Sequence, residues 1–222
     1  MFDEIPVQNK IPNEICFSST EEKLVDLEVA QLLNEGVIVP SQYESGQYVS
    51  NIFLVSKTNG KFRPVINLKQ LNKHVHYEHF KQETFPFVLE LIQKCDFLTS
   101  LDLKSAYFSI PIDKDSQKYL KFHWRGQLYK FLCLAFGLSS APFCFTKTLK
   151  PVYGFFRQNG IRCSYYIDDS INMNSDFDLC AASAGFMVEK LGIRICNQQR
   201  QISCSSYTET QILWVYFGYS TV

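Results

Sequence analysis

Two adjacent acidic residues, Asp168 and Asp169, directly follow the run Tyr165–Ile167. Aromatic and β-branched residues favour an extended strand, and Ile171 and Met173 alternate with polar neighbours as a returning strand would. The pattern therefore predicts a β-hairpin with two carboxylates at its tip. In a covered sheet such a pair is costly unless a cation neutralises it, and Mg²⁺ is the natural candidate because it prefers oxygen ligands. The alternative interpretation is a solvated turn, since turns are rich in Asp.

A third acid interrupts an apolar stretch earlier in the chain. Leu98, Leu101 and Leu103 predict a buried strand, and Asp102 stands where such a strand would ordinarily carry another aliphatic side chain. A single acid in an apolar run is usually a strand-end residue. Its interpretation therefore depends on the motifs that accompany it.

Four motifs, taken together and in order, resemble those of reverse transcriptases. They are the segment Gly60–Asn72, the block L-D-L-K-S-A-Y-F-S-I-P-I around Asp102, the segment Leu134–Phe143, and Y-I-D-D at Asp168 and Asp169. Each motif is weak alone, but four in the family's order are specific, and the resemblance spans about residues 35 to 195. Smaller details look most like DIRS-type tyrosine-recombinase retrotransposons, with gypsy-like elements second: His79–Lys81, Leu149–Tyr153 and the Ser after the two acids.

The resemblance implies a fold and a domain organisation. The fold class is α+β, a right-hand polymerase palm and fingers without a full thumb, in which an antiparallel sheet is backed by helices. Residues 1–18 are expected to form an extended lead-in, residues 19–95 a fingers region with an N-terminal helix, and residues 96–222 a palm region with part of the fingers at about 112–135. The late segments Gly192–Ile195, Arg200-Gln201 and Val215–Tyr219 match the family loosely, which weakens the expectation of primer holding more than that of metal binding.

The resemblance also implies the chemistry. Asp102, Asp168 and Asp169 correspond to the catalytic, metal-binding acids of the family, and the backbone carbonyl of Leu103 to an additional ligand. Two Mg²⁺ ions are implied, with Mn²⁺ as a substitute. One ion would lower the pKa of the primer 3′-hydroxyl, and the other would neutralise the triphosphate and the leaving pyrophosphate. The implied reaction is RNA-directed DNA polymerisation.

A second set of residues is implied to contact the nucleotide. Arg63 corresponds to the Arg that binds the triphosphate, where a planar donor suits phosphate oxygens, and Lys61 is a less certain second cation. Tyr107 corresponds to the aromatic ring that would clash with a 2′-hydroxyl and so select deoxynucleotides. Phe136 and Gly137 lie in the segment that the family places against nucleotide and template, and glycine allows close backbone approach. Without the resemblance, surface cations and a buried ring are the favoured interpretations of Lys61, Arg63 and Tyr107, and an ordinary loop glycine is the alternative for Gly137.

Composition and charge limit which partners the chain is expected to bind. The chain is 46% hydrophobic and 20% charged, as in globular proteins, and Lys+Arg and Asp+Glu both number 22. With no net charge, nucleic acid would have to be held by a local basic stripe. The expected partners are an RNA or DNA template with primer, deoxynucleoside triphosphates, and a region or subunit that supplies a thumb or ribonuclease H. The eight scattered cysteines, the lack of a signal peptide and the lack of a long apolar run predict a reduced, intracellular chain, cytoplasmic or nuclear, with no membrane partner.

Local patterns predict the remaining elements. A capping box at Ser19–Glu22 predicts a helix that continues to Gly36 and carries the apolar positions Leu24, Leu27, Leu32 and Leu33. Asn59-Gly60 and Arg125-Gly126 predict two hairpins, the second of them in the outer part of the Asp102 sheet. Further helices are predicted at residues 86–94, 139–156 and 177–191.

Two alternatives stay open at this level. The first is a catalytically impaired or domesticated remnant of the same fold, which would act, if at all, as a binding protein. The loose late segments and the neutral charge favour it, whereas the intact acids argue against it. The second is a structural or interaction domain whose acids are ordinary turn residues, and four ordered motifs argue against that.

Overall fold

The computed structural model describes residues 2–56, 62–103, 105–192 and 195–196 of the 222 in the chain, with the backbone alone at Arg63, Ile195 and Cys196. These residues form two compact units. The first unit comprises the described residues up to Glu78 together with Tyr107–Ala141. The second comprises His79–Ala106 and the described residues from Pro142 onward.

Helices and strands alternate along the chain. The helices are α1 (Ser19–Asn34), α2 (Phe85–Leu91), α3 (Ala141–Gln158) and α4 (Phe177–Leu191). The strands are β1 (Ile38–Ser41), β2 (Val49–Ser50), β3 (Ile52–Ser56), β4 (Phe62–Ile66), β5 (Phe97–Leu103), β6 (Lys121–Trp124), β7 (Gln127–Phe131), β8 (Arg162–Tyr166), β9 (Asp169–Asn174) and β10 (Ile195–Cys196). Short 3₁₀ helices cover Leu71–Lys73, Ala106–Ser109 and Gln117–Tyr119.

The first unit contains a four-stranded sheet in the order β1-β7-β6-β2 and the separate hairpin β3-β4. All of its strand pairs are antiparallel except β2 with β6, which is parallel. Both predicted hairpins are confirmed, and at the second one Arg125 and Gly126 both have positive φ, as a type I′ turn requires. The placement of β6 and β7 in the Asp102 sheet was wrong. Their outer edges pair instead with β1 and β2, and apolar residues of β1, β6 and β7 share one core: Ile38, Phe122 and Phe131.

The N-cap of helix α1 lies one residue before the predicted one. Ser18 is the N-cap: its backbone N–H donates to Glu21 Oε2 at 2.9 Å, and the N–H of Glu21 donates to Ser18 Oγ at 3.4 Å. The capping box needs the Glu three residues after the cap, and Ser18 meets that spacing. The helix buries Val25, Val29 and Leu32, whereas the predicted apolar position Leu27 is 69% exposed. The β-branched residues therefore supply most of the buried face.

The second unit is built on an antiparallel sheet in the order β10-β5-β9-β8. Helix α4 packs on β5 and β9, and α2 packs near β8. Val88, Leu98, Ile171 and Met173 form a small buried cluster within this unit. Tyr153 of α3 stacks on Tyr165 of β8 with ring centroids 4.2 Å apart. The predicted strand at Asp102, the hairpin at Asp168 and Asp169, and the helices that back the sheet are all confirmed.

Helices α2 and α3 differ from their predicted bounds, whereas α4 does not. Helix α2 was predicted to reach residue 94 but ends at Leu91, because Ile92 is extended and the N–H of Gln93 donates to the Asp96 carboxylate at 2.7 Å. The predicted helix over residues 139–156 runs over Ala141–Gln158 instead. Helix α4 has its predicted bounds and ends at Gly192, whose φ of 59° is the left-handed conformation of a helix C-cap.

A buried ion pair links the starts of β5 and β8. Asp96, which is fully buried, accepts from both terminal nitrogens of Arg162 at 2.5 and 2.6 Å, and Arg162 also donates to the carbonyl of Leu91. Arg200-Gln201 and Val215–Tyr219, which matched the family loosely, lie outside the described residues. Within the described part of the chain, no helix has the length and apolar character needed to cross a bilayer.

Candidate active site

The turn between β8 and β9 carries the adjacent acids. Tyr166 pairs with Asp169 across the hairpin, so Ile167 and Asp168 form a two-residue turn. Ile167 has a φ of 55°, and a positive φ at the first central residue alone is the sign pattern of a type II′ turn. A β-branched residue in this region is strained by roughly 1–3 kcal/mol, which the paired strands offset. The turn thus holds Asp168 at the hairpin tip and starts β9 at Asp169.

The third acid lies on the neighbouring strand. Asp102 of β5 is the direct register partner of Asp169 of β9. One residue further along β5, the N–H of Leu103 donates to the backbone carbonyl of Asp168 at 2.9 Å. The fold therefore brings Asp102 beside two adjacent acids that follow it by more than sixty residues, and Leu103 lies next to all three. All three are half-buried.

Burial and mutual repulsion disturb the ionisation of these acids. Burial raises the pKa of Asp169 to about 7, and the negative charges of Asp168 and Asp102 contribute further. Burial also raises the pKa of Asp102, followed by repulsion from Asp168. No cation is among the causes of these shifts within the described residues. None of the ion pairs among the described residues includes one of these three acids.

The donor set suits a hard cation such as Mg²⁺, because all three side chains offer carboxylate oxygens. The described side chains nevertheless include no group of three or more His, Cys, Asp or Glu placed closely enough to enclose a metal ion. Metal binding by Asp102, Asp168, Asp169 and the Leu103 carbonyl therefore stays a prediction. The observation that favours it is the register pairing of Asp102 with Asp169, with Asp168 in the adjoining turn.

Three of the predicted nucleotide-contacting residues come together in the first unit. The rings of Tyr107 and Phe136 have centroids 5.1 Å apart, and Phe108 packs edge-on against Phe136 at the same distance. Tyr107 is 8% exposed. Gly137 has a φ of +90°, a conformation that disfavours any other residue. Arg63 lies in β4 opposite Val55, while its side chain and residues Lys57 and Lys61 lie outside what the structure describes.

Asn72 positions the loop that contains Gly137, a role that the sequence did not reveal. Its side-chain amide donates to the carbonyl of Gly137 at 2.8 Å, and its carbonyl oxygen accepts from the N–H of Ser139 at 3.0 Å. One amide thus satisfies two backbone groups of the same loop. Asn72 closes the predicted segment Gly60–Asn72, but only the fold shows that it contacts a loop some 65 residues away.

Glu83 is the other residue that the sequence did not single out. Its carboxylate accepts from Arg157 Nη2 at 2.6 and 2.7 Å, from Ser164 Oγ at 2.6 Å and from the N–H of Tyr165 at 3.3 Å. Arg157 in turn donates to the carbonyl of Cys163 from Nε and Nη2, at 3.1 and 2.9 Å. Because β8 is an edge strand, its outward-facing backbone N–H and C=O groups have no neighbouring strand to bond with. The ion pair thus takes the place of a neighbouring strand beside the strand that leads to Asp168.

Comparison with known proteins matches the chain to one family. The family described as Reverse transcriptase (RNA-dependent DNA polymerase) matches residues 55–184. The chain is 33% identical over 153 residues to the Retrovirus-related Pol polyprotein from transposon gypsy of Drosophila melanogaster, which covers 66% of this chain and 14% of that protein. It is 33% identical over 161 residues to the Pol polyprotein of equine infectious anemia virus (strain Wyoming), covering 68% and 14%. It is 30% identical over 142 residues to the Transposon Tf2-3 polyprotein of Schizosaccharomyces pombe, covering 64% and 10%.

The chain therefore spans between 10% and 14% of the length of these relatives.

Solved structures extend the likeness to the fold. A foamy viral protease-reverse transcriptase in complex with double-stranded DNA superimposes with a TM-score of 0.72 at 20% identity, over 86% of this chain and 33% of that one. The native prototype foamy virus protease-reverse transcriptase gives a TM-score of 0.71 at 18% identity, over 87% and 26%. These comparisons confirm the predicted α+β palm-and-fingers fold.

Proposed function

We propose that this chain, which belongs to the reverse transcriptase (RNA-dependent DNA polymerase) family, adds deoxynucleotides to a primer 3′-hydroxyl and uses RNA as its template. The observation that carries the proposal is the register pair Asp102 and Asp169, with Asp168 at the adjacent hairpin tip. An acid cluster of this kind serves to hold charge rather than to transfer protons. Its location at the end of two paired strands keeps the three carboxylates in fixed register.

Asp102 and Asp168 would hold two Mg²⁺ ions, with the Leu103 carbonyl as a further ligand. Bound Mg²⁺, or Mn²⁺ in its place, would lower the pKa of the primer 3′-hydroxyl and neutralise the charge on the triphosphate and the leaving pyrophosphate. Asp169 would add negative charge to the cluster and favour cation binding. The strained turn at Ile167 fixes the direction in which Asp168 is presented.

The proposed substrates are deoxynucleoside triphosphates and an RNA or DNA template with its primer. Arg63 and Lys61 would bind the triphosphate as charged donors. Tyr107, packed against Phe136, would contact the sugar and disfavour a 2′-hydroxyl. Gly137 would allow the backbone to approach the nucleotide or template. Double-stranded DNA is bound by one of the structural relatives, which supports a nucleic acid as partner here.

A partner region or subunit is proposed to complete the polymerase with a thumb, a ribonuclease H, or both. The relatives are polyproteins many times longer than the matched region, which supports this part of the proposal. We also propose that the chain derives from a DIRS-type retrotransposon, on the strength of the blocks His79–Lys81 and Leu149–Tyr153. A phylogenetic tree of reverse transcriptase domains tests this, and a position inside the gypsy-like group would refute it.

A second candidate function is that of an impaired or domesticated reverse transcriptase that binds a partner without polymerising. The formal net charge of zero favours it, because a polymerase generally attracts its polyanionic substrate through positive charge. Metal binding alone does not separate the two functions. Nucleotide addition does.

The test is primer extension on poly(rA)/oligo(dT) with dTTP and Mg²⁺ or Mn²⁺. The parent chain is compared with Asp168→Ala and with Asp178→Ala, which removes an exposed acid from the first turn of α4. Extension by the parent and by Asp178→Ala, but not by Asp168→Ala, is the expected result. A folded parent that adds no nucleotide would establish the second candidate, and an active Asp168→Ala variant would refute the assignment of the acids.

A further inference from the structure

A cleft of about 360 Å³ lies in the second unit between the segment His79–Glu83 and helix α3. Three lysines line it: Lys81 from the segment, and Lys147 and Lys150 from the helix. All three are exposed. We call it the lysine cleft.

The positive charge of the lysine cleft is not balanced by acids. Among the described lysines, the ones in ion pairs are Lys121 and Lys190, neither of which lines the cleft. The only acid among the lining residues is Glu83, and its carboxylate is already bonded to Arg157. The Glu83–Arg157 pair is therefore neutral as a unit. The charges of the three lysines remain in excess.

The wall of the cleft contains a polar atom that has no hydrogen-bond partner among the described residues. The hydroxyl of Thr146 is buried and makes no hydrogen bond to any described residue, and Thr146 as a whole is only 7% exposed. An unsatisfied buried hydroxyl costs about 1–3 kcal/mol, and native structures rarely keep one without a reason. Because Thr146 lines the same cleft as the lysines, its hydroxyl would donate a hydrogen bond to a ligand oxygen there once the side chain turns toward the cleft.

We propose that the lysine cleft binds backbone phosphates of the nucleic acid on which the chain acts. Ammonium groups and Thr hydroxyls are typical donors to phosphate oxygens, and they position nucleic acid without reading its sequence. Lys147 and Lys150 are three residues apart on α3 and so lie on the same helix face, within reach of neighbouring phosphates of one strand. This inference rests on the proposed function, from which the nucleic acid ligand is taken. It adds a location for the local positive charge that a chain with no net charge needs in order to bind a polyanion.

The test measures binding rather than catalysis. Fluorescence anisotropy of a labelled RNA/DNA primer–template hybrid gives the affinity of the parent chain over a series of KCl concentrations. The variant Lys81→Gln/Lys147→Gln/Lys150→Gln is compared with Lys10→Gln/Lys23→Gln/Lys94→Gln, which removes the same charge from exposed lysines outside the cleft. A plot of the logarithm of the association constant against the logarithm of the salt concentration has a negative slope. We expect this slope to be less steep in the cleft variant, by about 0.7–0.9 for each phosphate that the lysines no longer neutralise. The control variant is expected to keep the parent slope.

Thr146→Val gives an independent readout. Removing an unpartnered buried hydroxyl should leave the melting temperature unchanged or raise it, because the hydroxyl has no hydrogen bond to any described residue. The affinity for the hybrid should fall by about tenfold, which corresponds to the removal of one hydrogen bond to a charged group. A lower melting temperature with unchanged affinity would show that Thr146 has a structural role only and would count against the inference.

The outcomes separate this inference from the proposed function. If the parent extends primers while the cleft variant keeps the parent slope, the cleft assignment is wrong and the polymerase stands. If the parent binds the hybrid with a slope that depends on the three lysines but adds no nucleotide, the cleft assignment stands and the polymerase does not. A parent that binds no hybrid at any salt concentration refutes the cleft assignment.

Discussion

Asp169 lies directly opposite Asp102 on neighbouring antiparallel strands, so two carboxylates face each other in one register pair. Asp168 adds a third acid at the adjoining turn. Three half-buried acids placed together destabilise the folded state, because both burial and mutual repulsion disfavour ionised carboxylates. The cost of keeping them should therefore be visible in the stability of the metal-free chain.

The first prediction concerns pH. Asp169 has a pKa of about 7 in the folded chain, owing first to burial and then to Asp168 and Asp102, against about 3.9 in an unfolded one. Between these two values the folded state binds more protons than the unfolded state, so this group's contribution to stability falls as the pH rises from about 4 to about 7. Asp169→Asn cannot ionise and escapes this loss. We expect its melting temperature in EDTA to exceed that of the parent by a margin that is small at pH 5 and larger at pH 8.

The control for this pH series is Asp178→Asn, which changes an exposed acid on α4. Its melting temperature should lie below that of the parent by one small margin that is the same from pH 5 to pH 8, because the substitution removes a negative charge from the N-terminal turn of α4. A difference between Asp169→Asn and the parent that is constant from pH 5 to pH 8 would contradict the raised pKa.

The second prediction concerns divalent cations. A cation that binds only the folded chain stabilises it by about 1.4 kcal/mol when present at ten times its dissociation constant. Mg²⁺ or Mn²⁺ should therefore raise the melting temperature of the parent at pH 8. Asp102→Asn/Asp168→Asn should lose this gain, and Asp115→Asn/Asp178→Asn, which removes two exposed acids, should retain it. An equal gain in both double variants would place the cation elsewhere.

The third prediction concerns the edge of β8. Removing one partner of a buried ion pair costs about 3–5 kcal/mol, and the partial exposure of Glu83 and Arg157 reduces this cost. Arg157→Met and Glu83→Gln should each lower the free energy of unfolding in urea by about 2–3 kcal/mol. Because the two residues contact each other, the double variant should lose less than the sum of the single ones. Additive losses would show that the two side chains act independently on the strand edge.

Local signals in the sequence were sufficient for the elements that carry the acids. Alternating apolar residues predicted β5 and β9, and the acids interrupt that alternation where the strands end. The same local reasoning placed α4 correctly, because a glycine with left-handed backbone terminates it. These features depend on neighbours in the chain, which is why the sequence could reveal them.

Contacts between distant segments could not be predicted in this way. Nothing local to Glu83 or Asn72 shows that the first supports β8 and the second holds the loop at Gly137, since each partner lies more than sixty residues away. The sheet to which β6 and β7 belong was wrong for the same reason: a hairpin pattern defines its own pairing but not its outer neighbours. On α1, a leucine pattern suggested a face that the fold leaves partly exposed, while valines are buried instead.

The last prediction concerns the choice of sugar. The ring of Tyr107 is held against Phe136 in the first unit, so it has little freedom to yield to a larger substrate. Tyr107→Val removes the ring, and we expect the kcat/KM for ribonucleotides relative to deoxynucleotides to rise by about tenfold or more, because discrimination by a pocket against one small group is worth about 1–3 kcal/mol. Tyr107→Phe keeps the ring and should leave the ratio near that of the parent. A ratio unchanged in Tyr107→Val would show that the ring does not contact the sugar.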